Sequence, residues 1–360
     1  MYDGRDNFTG IPKSTATITP TVNSVKITEM AYSSNTAMGA KTTDDTYANI
    51  LLPVREERLY KKQNNYEFDH NYQNGLGIDG TKSTWSNSLL TRSWDNSNDK
   101  YITTSANSLW TTTETYAFNG ITSGNFNWKK LSTTSLFAGR NGELIVEMKD
   151  MKDNYSAMKY GYDDRFKIAE VSNCNYTSFA FSSFESVKEV ETGIIHFDGE
   201  IEKGSGVQKT TVGLIKPHTG DYMLELGSSS VGGMFKAVVD NVTVSGEDFE
   251  RGIQVGRTYI ASVWVHKDSP GAARLVFELD GNITDSKNIR KDSPEGIQIG
   301  DWIQLNLLFE VPSNYLSTGG PNNNNDVRIY LENPDTGVNT YFDDLVIHPV
   351  DAQFSCYVYD

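Results

Sequence analysis

Alternating hydrophobic and polar positions in the second half of the chain predict β-strands. Eight segments show this alternation or a short apolar run, and turn residues separate them. These segments are Phe179 to Glu185, Tyr222 to Leu226, Met234 to Val239, Tyr259 to His266, Arg274 to Leu279, Trp302 to Val311, Val327 to Leu331 and Tyr341 to Ile347. Eight strands at this spacing favour a jelly-roll β-sandwich of two sheets over residues 174–350.

Four of these strands separate into an apolar face and a face of polar or aromatic residues. In the segment Tyr259 to His266, Val263 and Val265 fall on the apolar face, and Trp264 falls on the other. We predict that the second faces of the four strands supply the ligand-binding residues. The candidates are Trp264, His266, Arg274, Glu278, Gln304, Asn306, Arg328 and Tyr330.

Such a face suits a glycan if the four strands are neighbours in one concave sheet. Trp264 and Tyr330 would stack on a sugar ring, while the charged and amide side chains would bond its hydroxyl groups. The same residues also suit a half-exposed sheet without a ligand, because cross-strand charge pairs such as Arg274 with Glu278 need none. The pattern leaves both interpretations open.

The first half of the chain is harder to interpret. Residues 1–60 combine polar stretches with short apolar runs, which predicts an irregular, partly extended segment. Residues 61–173 predict a β-rich domain, with a hairpin turn at Asn141-Gly142, a pair that favours the type I′ turn. Four tryptophans in this domain could belong to a core or form an exposed platform for sugars: Trp85, Trp94, Trp110 and Trp128.

Composition and charge restrict the class of protein. Frequent Ser, Thr, Asn and Gly favour an all-β chain over a helical one. The formal net charge of −15 repels nucleic acid and anionic lipid surfaces. No apolar run is long enough to insert into a membrane, and the first residues lack the apolar core of a signal peptide. We therefore expect a fragment of a longer protein, or else a cytosolic one.

The two cysteines, Cys174 and Cys356, flank the predicted sandwich. A disulfide between them is sterically plausible in an oxidising compartment, and the alternative is two unpaired cysteines that behave as small apolar residues. The chain carries no nucleophile elbow, zinc-protease helix, phosphate loop or dinucleotide fingerprint. We therefore predict no catalytic residues.

Two segments before the sandwich carry a specific resemblance. Arg140-Asn141-Gly142 through Asp150, followed by Tyr155 to Tyr162, is similar to a segment of large bacterial surface proteins with RHS or YD repeats, although Phe137-Ala138 departs from their usual Tyr-Gly. In those proteins the segment directly precedes a jelly roll of the carbohydrate-binding type. Residues 351–360 likewise resemble the start of the following repeat region.

The sandwich itself resembles galactose-binding-like carbohydrate-binding modules. Ser183-Phe184-Glu185 looks like their opening strand, and Tyr341 to Pro349 looks like their closing strand. The resemblance implies a structural Ca²⁺ ion that pins the termini. It would be held by Glu185 and Asp344, with Asp343 as the alternative and Asp221 nearby, because Ca²⁺ prefers such oxygen ligands. In the alternative interpretation, Asp343 and Asp344 only solvate the end of a strand.

These observations favour a non-catalytic module that binds a glycan or a cell-surface polysaccharide. The resemblance implies a secreted or surface-anchored protein, extracellular or at the cell surface, with neighbouring domains of the parent chain as further partners. Two alternatives remain open. The chain could be a structural spacer next to an RHS/YD-repeat shell, or an accessory domain of a polysaccharide-degrading enzyme.

Overall fold

The computed structural model describes most of the chain, in twelve stretches. They are 14–19, 24–31, 52–60, 77–95, 100–122, 125–139, 142–239, 252–279, 282–293, 296–313, 315 and 326–359. The chain divides into two compact units. Unit 1 comprises Met1–Leu90, Ser105–Leu136 and Met148–Asp153, and unit 2 comprises Thr91–Thr104, Phe137–Glu147 and Asn154–Asp360.

Strands dominate the described residues. The first nine are β1 Ser14–Thr19, β2 Ser24–Ala31, β3 Leu52–Tyr60, β4 Gly77–Asp95, β5 Lys100–Thr122, β6 Asn125–Gly139, β7 Gly142–Asp150, β8 Tyr155–Gly161 and β9 Phe166–Ser172. The next seven are β10 Ala180–Ser182, β11 Val187–Glu191, β12 Ile194–Phe197, β13 Ile201–Gly204, β14 Val207–Lys209, β15 Met223–Leu226 and β16 Ser230–Val238. The last eight are β17 Thr258–His266, β18 Arg274–Leu279, β19 Asn282–Arg290, β20 Ile297–Ile299, β21 Trp302–Glu310, β22 Asp326–Asn333, β23 Thr340–Pro349 and β24 Phe354–Cys356.

The described helical residues are few, and the all-β prediction is confirmed. Two short 3₁₀ turns cover Tyr176–Ser178 and Asp198–Glu200. Within the described part of the chain, no helix has the length and apolar character needed to cross a membrane.

Unit 1 is built from antiparallel strands. Strands β1 to β4 pair in sequence as a meander, and β5 pairs with β6. On the β5–β6 pair, Glu114 bridges to Lys130 and the Thr115 hydroxyl bonds that of Ser132 at 2.7 Å. Asn141 and the side chains of the four tryptophans lie outside the described residues, so the predicted turn and the role of the tryptophans stay predictions.

Unit 2 contains the predicted jelly roll as two seven-stranded sheets. Sheet I has the order β14-β15-β23-β17-β21-β20, and β10 also pairs with β23. Sheet II has the order β11-β12-β13-β16-β22-β18-β19. The eight predicted strands correspond to β10, β15–β18 and β21–β23. Beside the sandwich, β8, β9 and β24 pair antiparallel.

The predicted apolar faces form the core between the two sheets. Val263 of sheet I and Leu275 of sheet II are fully buried in one cluster. Three aromatic rings connect the sheets: Phe309 stacks on Phe277 at 4.6 Å between centroids and on Tyr259 at 5.4 Å. Alternation along each strand therefore identified the buried face correctly, because successive side chains point to opposite sides of a sheet.

Candidate functional site

The eight predicted ligand-binding residues do not share a sheet. Trp264, His266, Gln304 and Asn306 lie on β17 and β21 of sheet I, whereas Arg274, Glu278, Arg328 and Tyr330 lie on β18 and β22 of sheet II. The condition for one shared glycan face, that these four strands are neighbours in one concave sheet, is therefore not met. The chain crosses to the other sheet after β17 and again after β21, and alternation within a strand carries no information about which sheet the strand joins.

On sheet I, Trp264 takes part in internal packing. Its ring stacks on the ring of His218, with 4.2 Å between centroids and 21° between planes. It also packs against a small apolar cluster that includes the buried Trp302 and Tyr341 and is joined by Ile215. Because residues from the 212–218 loop contact this outer face, Trp264 is a poor platform for a sugar.

His266 is also part of the packing on sheet I. It is buried, and its ring meets Trp302 edge-on at 5.2 Å between centroids. Its Nδ1 accepts a hydrogen bond from the backbone N–H of Asp268 at 3.3 Å. Burial lowers the pKa of the His266 imidazole, which favours the neutral ring at pH 7.

On sheet II, cross-strand pairing places the predicted residues in adjacent rows. Arg274 of β18 lies opposite Glu332 of β22, and its Nε donates a hydrogen bond to the Glu332 carboxylate at 2.8 Å. Glu278 lies opposite Arg328. Between these rows, Tyr330 lies opposite Val276, and its hydroxyl donates to Glu278 Oε2 at 3.1 Å.

Tyr330 lies at the centre of this face. Its cross-strand neighbour Val276 is 5% exposed but lies outside the main core cluster, so an apolar side chain is covered on the outer side of the sheet. The Tyr330 ring is half-buried. Burial, reinforced by the nearby Glu278 carboxylate, raises the pKa of the Tyr330 phenol to about 12. The phenol therefore stays protonated and keeps its role as a donor.

We call the outer surface of β16, β22, β18 and β19 the Tyr330 face. Two ion pairs lie at its margins: Lys236 bridges to Glu202 at 2.6 Å, and Arg290 to Asp292 at 2.7 Å. Like charges also lie opposite each other across the strands, Arg274 with Arg290 and Lys236 with Arg328. Its basic side chains are Lys236, Arg274, Arg290 and Arg328, and the acidic ones beside them are Glu202, Glu278, Asp292 and Glu332. Four positive charges against four negative ones leave these described groups with no net charge.

The residues implied as calcium ligands lie at a break in strand pairing. Two strands pair in succession with one edge of β23. Strand β15 pairs with β23 residues up to Phe342, and β10 pairs with β23 residues from Leu345 onward. On the other side, the register with β17 shifts at this point, and Asp344 has a positive φ of 49°. Asp343 and Asp344 fill the gap between β15 and β10 and contact the 218–219 turn.

The carboxylates at this gap are occupied by hydrogen-bond donors. Asp343 Oδ2 accepts from the backbone N–H of His218 at 2.7 Å and of Thr219 at 3.2 Å, and its Oδ1 accepts from Asp344 N–H. The Asp344 oxygens bond the Thr219 hydroxyl and His218 Nδ1, each at 2.7 Å. Both Glu185 oxygens accept from the Asp221 N–H at 3.1 Å. Asp343 is fully buried, and burial together with Asp344 raises the pKa of its carboxyl.

This arrangement does not fit a calcium ion. Each carboxylate oxygen of Glu185, Asp343 and Asp344 already lies at hydrogen-bonding distance from a backbone N–H, a hydroxyl or an imidazole nitrogen. In the part of the chain that the structure describes, no three His, Cys, Asp or Glu side chains are grouped so that they could hold a metal. The calcium ion stays a prediction from the resemblance.

Of the two alternatives for Cys174 and Cys356, the structure has the unpaired one. Cys174 is a buried free thiol, and Cys356 is an exposed one. Cys356 is on β24 and lies opposite Ala169 of β9. Strand β24 therefore pairs with β9 rather than with a strand of the sandwich. Burial raises the pKa of the Cys174 thiol, which makes it unreactive.

Sequence reasoning missed some residues of the Tyr330 face. Asn288 and Arg290 belong to β19, whose sequence Asn-Ile-Thr-Asp-Ser-Lys-Asn-Ile-Arg lacks a clean alternation. Only the pairing of β19 with β18 shows that these residues belong to this face, because it places Asn288 opposite Val276 and Arg290 opposite Arg274. Lys236 of β16 lies opposite Arg328, and β16 is not one of the four strands whose two faces were predicted.

Comparisons with known proteins identify no family. No family model matches the chain, and no curated protein matches it. A xylan-binding domain, CBM22-1 of Paenibacillus barcinonensis Xyn10C, is 13% identical, with coverage of 47% of this chain and 92% of that one at a TM-score of 0.28. SGBP-B from a xyloglucan utilization locus of Bacteroides uniformis is 11% identical, with coverage of 78% and 97% at a TM-score of 0.26. TM-scores this low support no conclusion about function.

Proposed function

We propose that this protein is a non-catalytic module that binds a neutral glycan on the Tyr330 face. The observation that carries the proposal is the half-buried Tyr330 ring beside the covered Val276, with fixed polar groups on both sides. Sugars present an apolar ring face and hydroxyl groups at the edges. An aromatic ring flanked by oriented donors and acceptors matches both features.

The charge pairs support a neutral ligand over an acidic one. On this face the positive charge of Arg274 is already balanced by Glu332, so a uronic acid or a sulfate would gain less electrostatic attraction from it. The carboxylates can still accept hydrogen bonds from sugar hydroxyls, because each has several lone-pair positions. The formal net charge of −15 also opposes the approach of polyanions.

The same contacts support binding rather than catalysis. Glu278 accepts from the Tyr330 hydroxyl, and Glu332 and Glu202 each hold a cation. These contacts hold the three carboxylates in place as hydrogen-bond acceptors and ion-pair partners. A glycan-binding role implies that the protein works outside the cell or at its surface, as one part of a larger polysaccharide-directed or surface protein.

Affinity electrophoresis of the full chain tests the proposal. The gels would contain xylan, xyloglucan, a galactan or the acidic polygalacturonate. We expect retardation by at least one neutral polysaccharide, none by polygalacturonate, and little change between low and high salt, because screening weakens only charge-driven binding. Retardation by polygalacturonate alone, lost in high salt, would contradict the neutral-glycan assignment. No retardation in any gel would favour a structural spacer.

A further inference from the structure

A groove runs along the seam where the two sheets approach each other. It has a volume of about 650 Å³ and lies between β19 with its following turn, on sheet II, and β21, on sheet I. Strand β20 pairs with β21 only at residues Trp302 to Gln304. The part of β21 that lines the groove, residues 306–308, lies beyond this pairing.

The groove is continuous with the Tyr330 face. The register aligns Tyr330 on β22, Val276 on β18 and Asn288 on β19 in one row across the strands. Asn288 is also one of the residues that line the groove. Because neighbouring strands are ~4.8 Å apart, the row extends about 10 Å from Tyr330 to the groove. A single sugar ring cannot reach both ends of such a row, but an extended oligosaccharide can.

The lining of the groove matches the chemistry of a sugar. Its floor includes Ile289 and Leu307, and Leu308 on its wall is 56% exposed. Amide groups from both strands and an oriented Arg–Asp pair, 2.7 Å apart, surround this apolar surface. The polar residues are Asn288, Arg290, Asp292, Ser293 and Asn306. Each amide provides a donor and an acceptor, the combination that a sugar hydroxyl uses.

We propose that this groove is a second contact region for the same glycan, so that the ligand is an extended neutral oligosaccharide that crosses β22, β18 and β19 and enters the seam. The inference rests on the proposed function and adds the length and direction of the ligand. It also gives Asn306 a role that differs from the predicted one, because Asn306 meets the ligand from the opposite sheet.

A length series tests the inference with the wild-type chain. Isothermal titration calorimetry would use xylo-, cello- and galacto-oligosaccharides from the disaccharide to the hexasaccharide, which match the neutral polysaccharides of the gels. We expect affinity to rise at least tenfold along the series that binds, as the longer chains reach the groove. Equal affinity for disaccharide and hexasaccharide, with both lost in Tyr330→Ala, would overturn the groove and leave the proposed function in place. No binding by any length would overturn both.

Variants separate the groove from the Tyr330 face. The double change Asn306→Ala and Leu308→Ala removes two groove side chains of β21, which lie outside the Tyr330 face. It is expected to weaken hexasaccharide binding about tenfold and to leave disaccharide binding unchanged. Gln304→Ala is the matched control, because it removes an amide from the same strand at a position outside the described groove lining. Ser293→Ala provides a second test from the turn after β19, on the opposite side of the groove. If none of the groove variants changes hexasaccharide binding, the groove is not a contact region.

Discussion

Asp198 allows one prediction about stability to be worked out from the structure. It begins the 3₁₀ turn between β12 and β13, and its Oδ2 accepts a hydrogen bond from the backbone N–H of Tyr162 at 2.9 Å. Burial raises the pKa of its carboxyl from 3.8 to about 6, although the Tyr162 bond opposes this shift. The folded state therefore binds a proton at Asp198 more tightly than the unfolded state does.

The sign of the pH dependence follows from this difference. Stability from the bound proton is fully present below pH 3.8, and it is lost as the pH rises through about 6. Since a tenfold change in proton affinity is worth ~1.4 kcal/mol, a rise of the pKa from 3.8 to about 6 corresponds to about 3 kcal/mol of lost stability at pH 7.5. Asp198→Asn is neutral at every pH and keeps an oxygen for the Tyr162 N–H. We expect this variant to be up to about 3 kcal/mol more stable than wild type at pH 7.5, and no more stable near pH 4.

Urea unfolding followed by tryptophan fluorescence, at several pH values between 4 and 7.5, measures this difference. Asp301→Asn is a suitable control, because Lys267 lowers the pKa of the exposed Asp301 carboxyl and the expected effect has the opposite sign. A variant at Asp198 that is less stable than wild type at pH 7.5 would refute the reasoning. It would mean that the ionised carboxylate, held by the Tyr162 N–H, stabilises the fold more than burial destabilises it.

Two further predictions concern sheet I and the carboxylates of β23. Trp264→Ala should lower the unfolding midpoint, because it removes the stack on His218, and should leave glycan affinity unchanged; a large loss of affinity in a folded variant would move the binding site to sheet I. Calcium in excess should leave the thermal midpoint of the chelator-treated chain unchanged, because donors occupy Asp343 and Asp344. A calcium-dependent rise that Asp344→Ala removes would instead establish the calcium site.

The sequence predicted the local features of the sandwich well. Leu275, Phe277 and Leu279 on β18, and Val327, Ile329 and Leu331 on β22, all fall on the buried face as expected. Alternation reports this directly, because the pleat of a strand fixes which side chains share a face. Strands such as β14 and β20 were missed because they are only three residues long and leave little room for a pattern.

The arrangement of the site could not be predicted in the same way. Which sheet a strand joins depends on pairing between distant segments. The sequence therefore could not distinguish Trp264 from Tyr330 as the aromatic ring that would stack on a sugar. The structure separates them, since His218 stacks on Trp264, whereas Tyr330 lies beside Val276 on the other sheet. The proton donors at Asp343 likewise come from the distant 218–219 turn. Contacts of this kind follow from the fold and leave no local signal.

Calorimetric titration of the neutral polysaccharide that retards the chain most, into wild type, Tyr330→Ala and Tyr330→Phe, tests the central claim most directly. We expect the loss of the ring in Tyr330→Ala to weaken binding at least tenfold, equivalent to about 1.4 kcal/mol. Tyr330→Phe keeps the ring but loses the bond to Glu278, so it should retain most of the affinity. Unchanged affinity in a folded Tyr330→Ala would contradict the assignment of the glycan to this face.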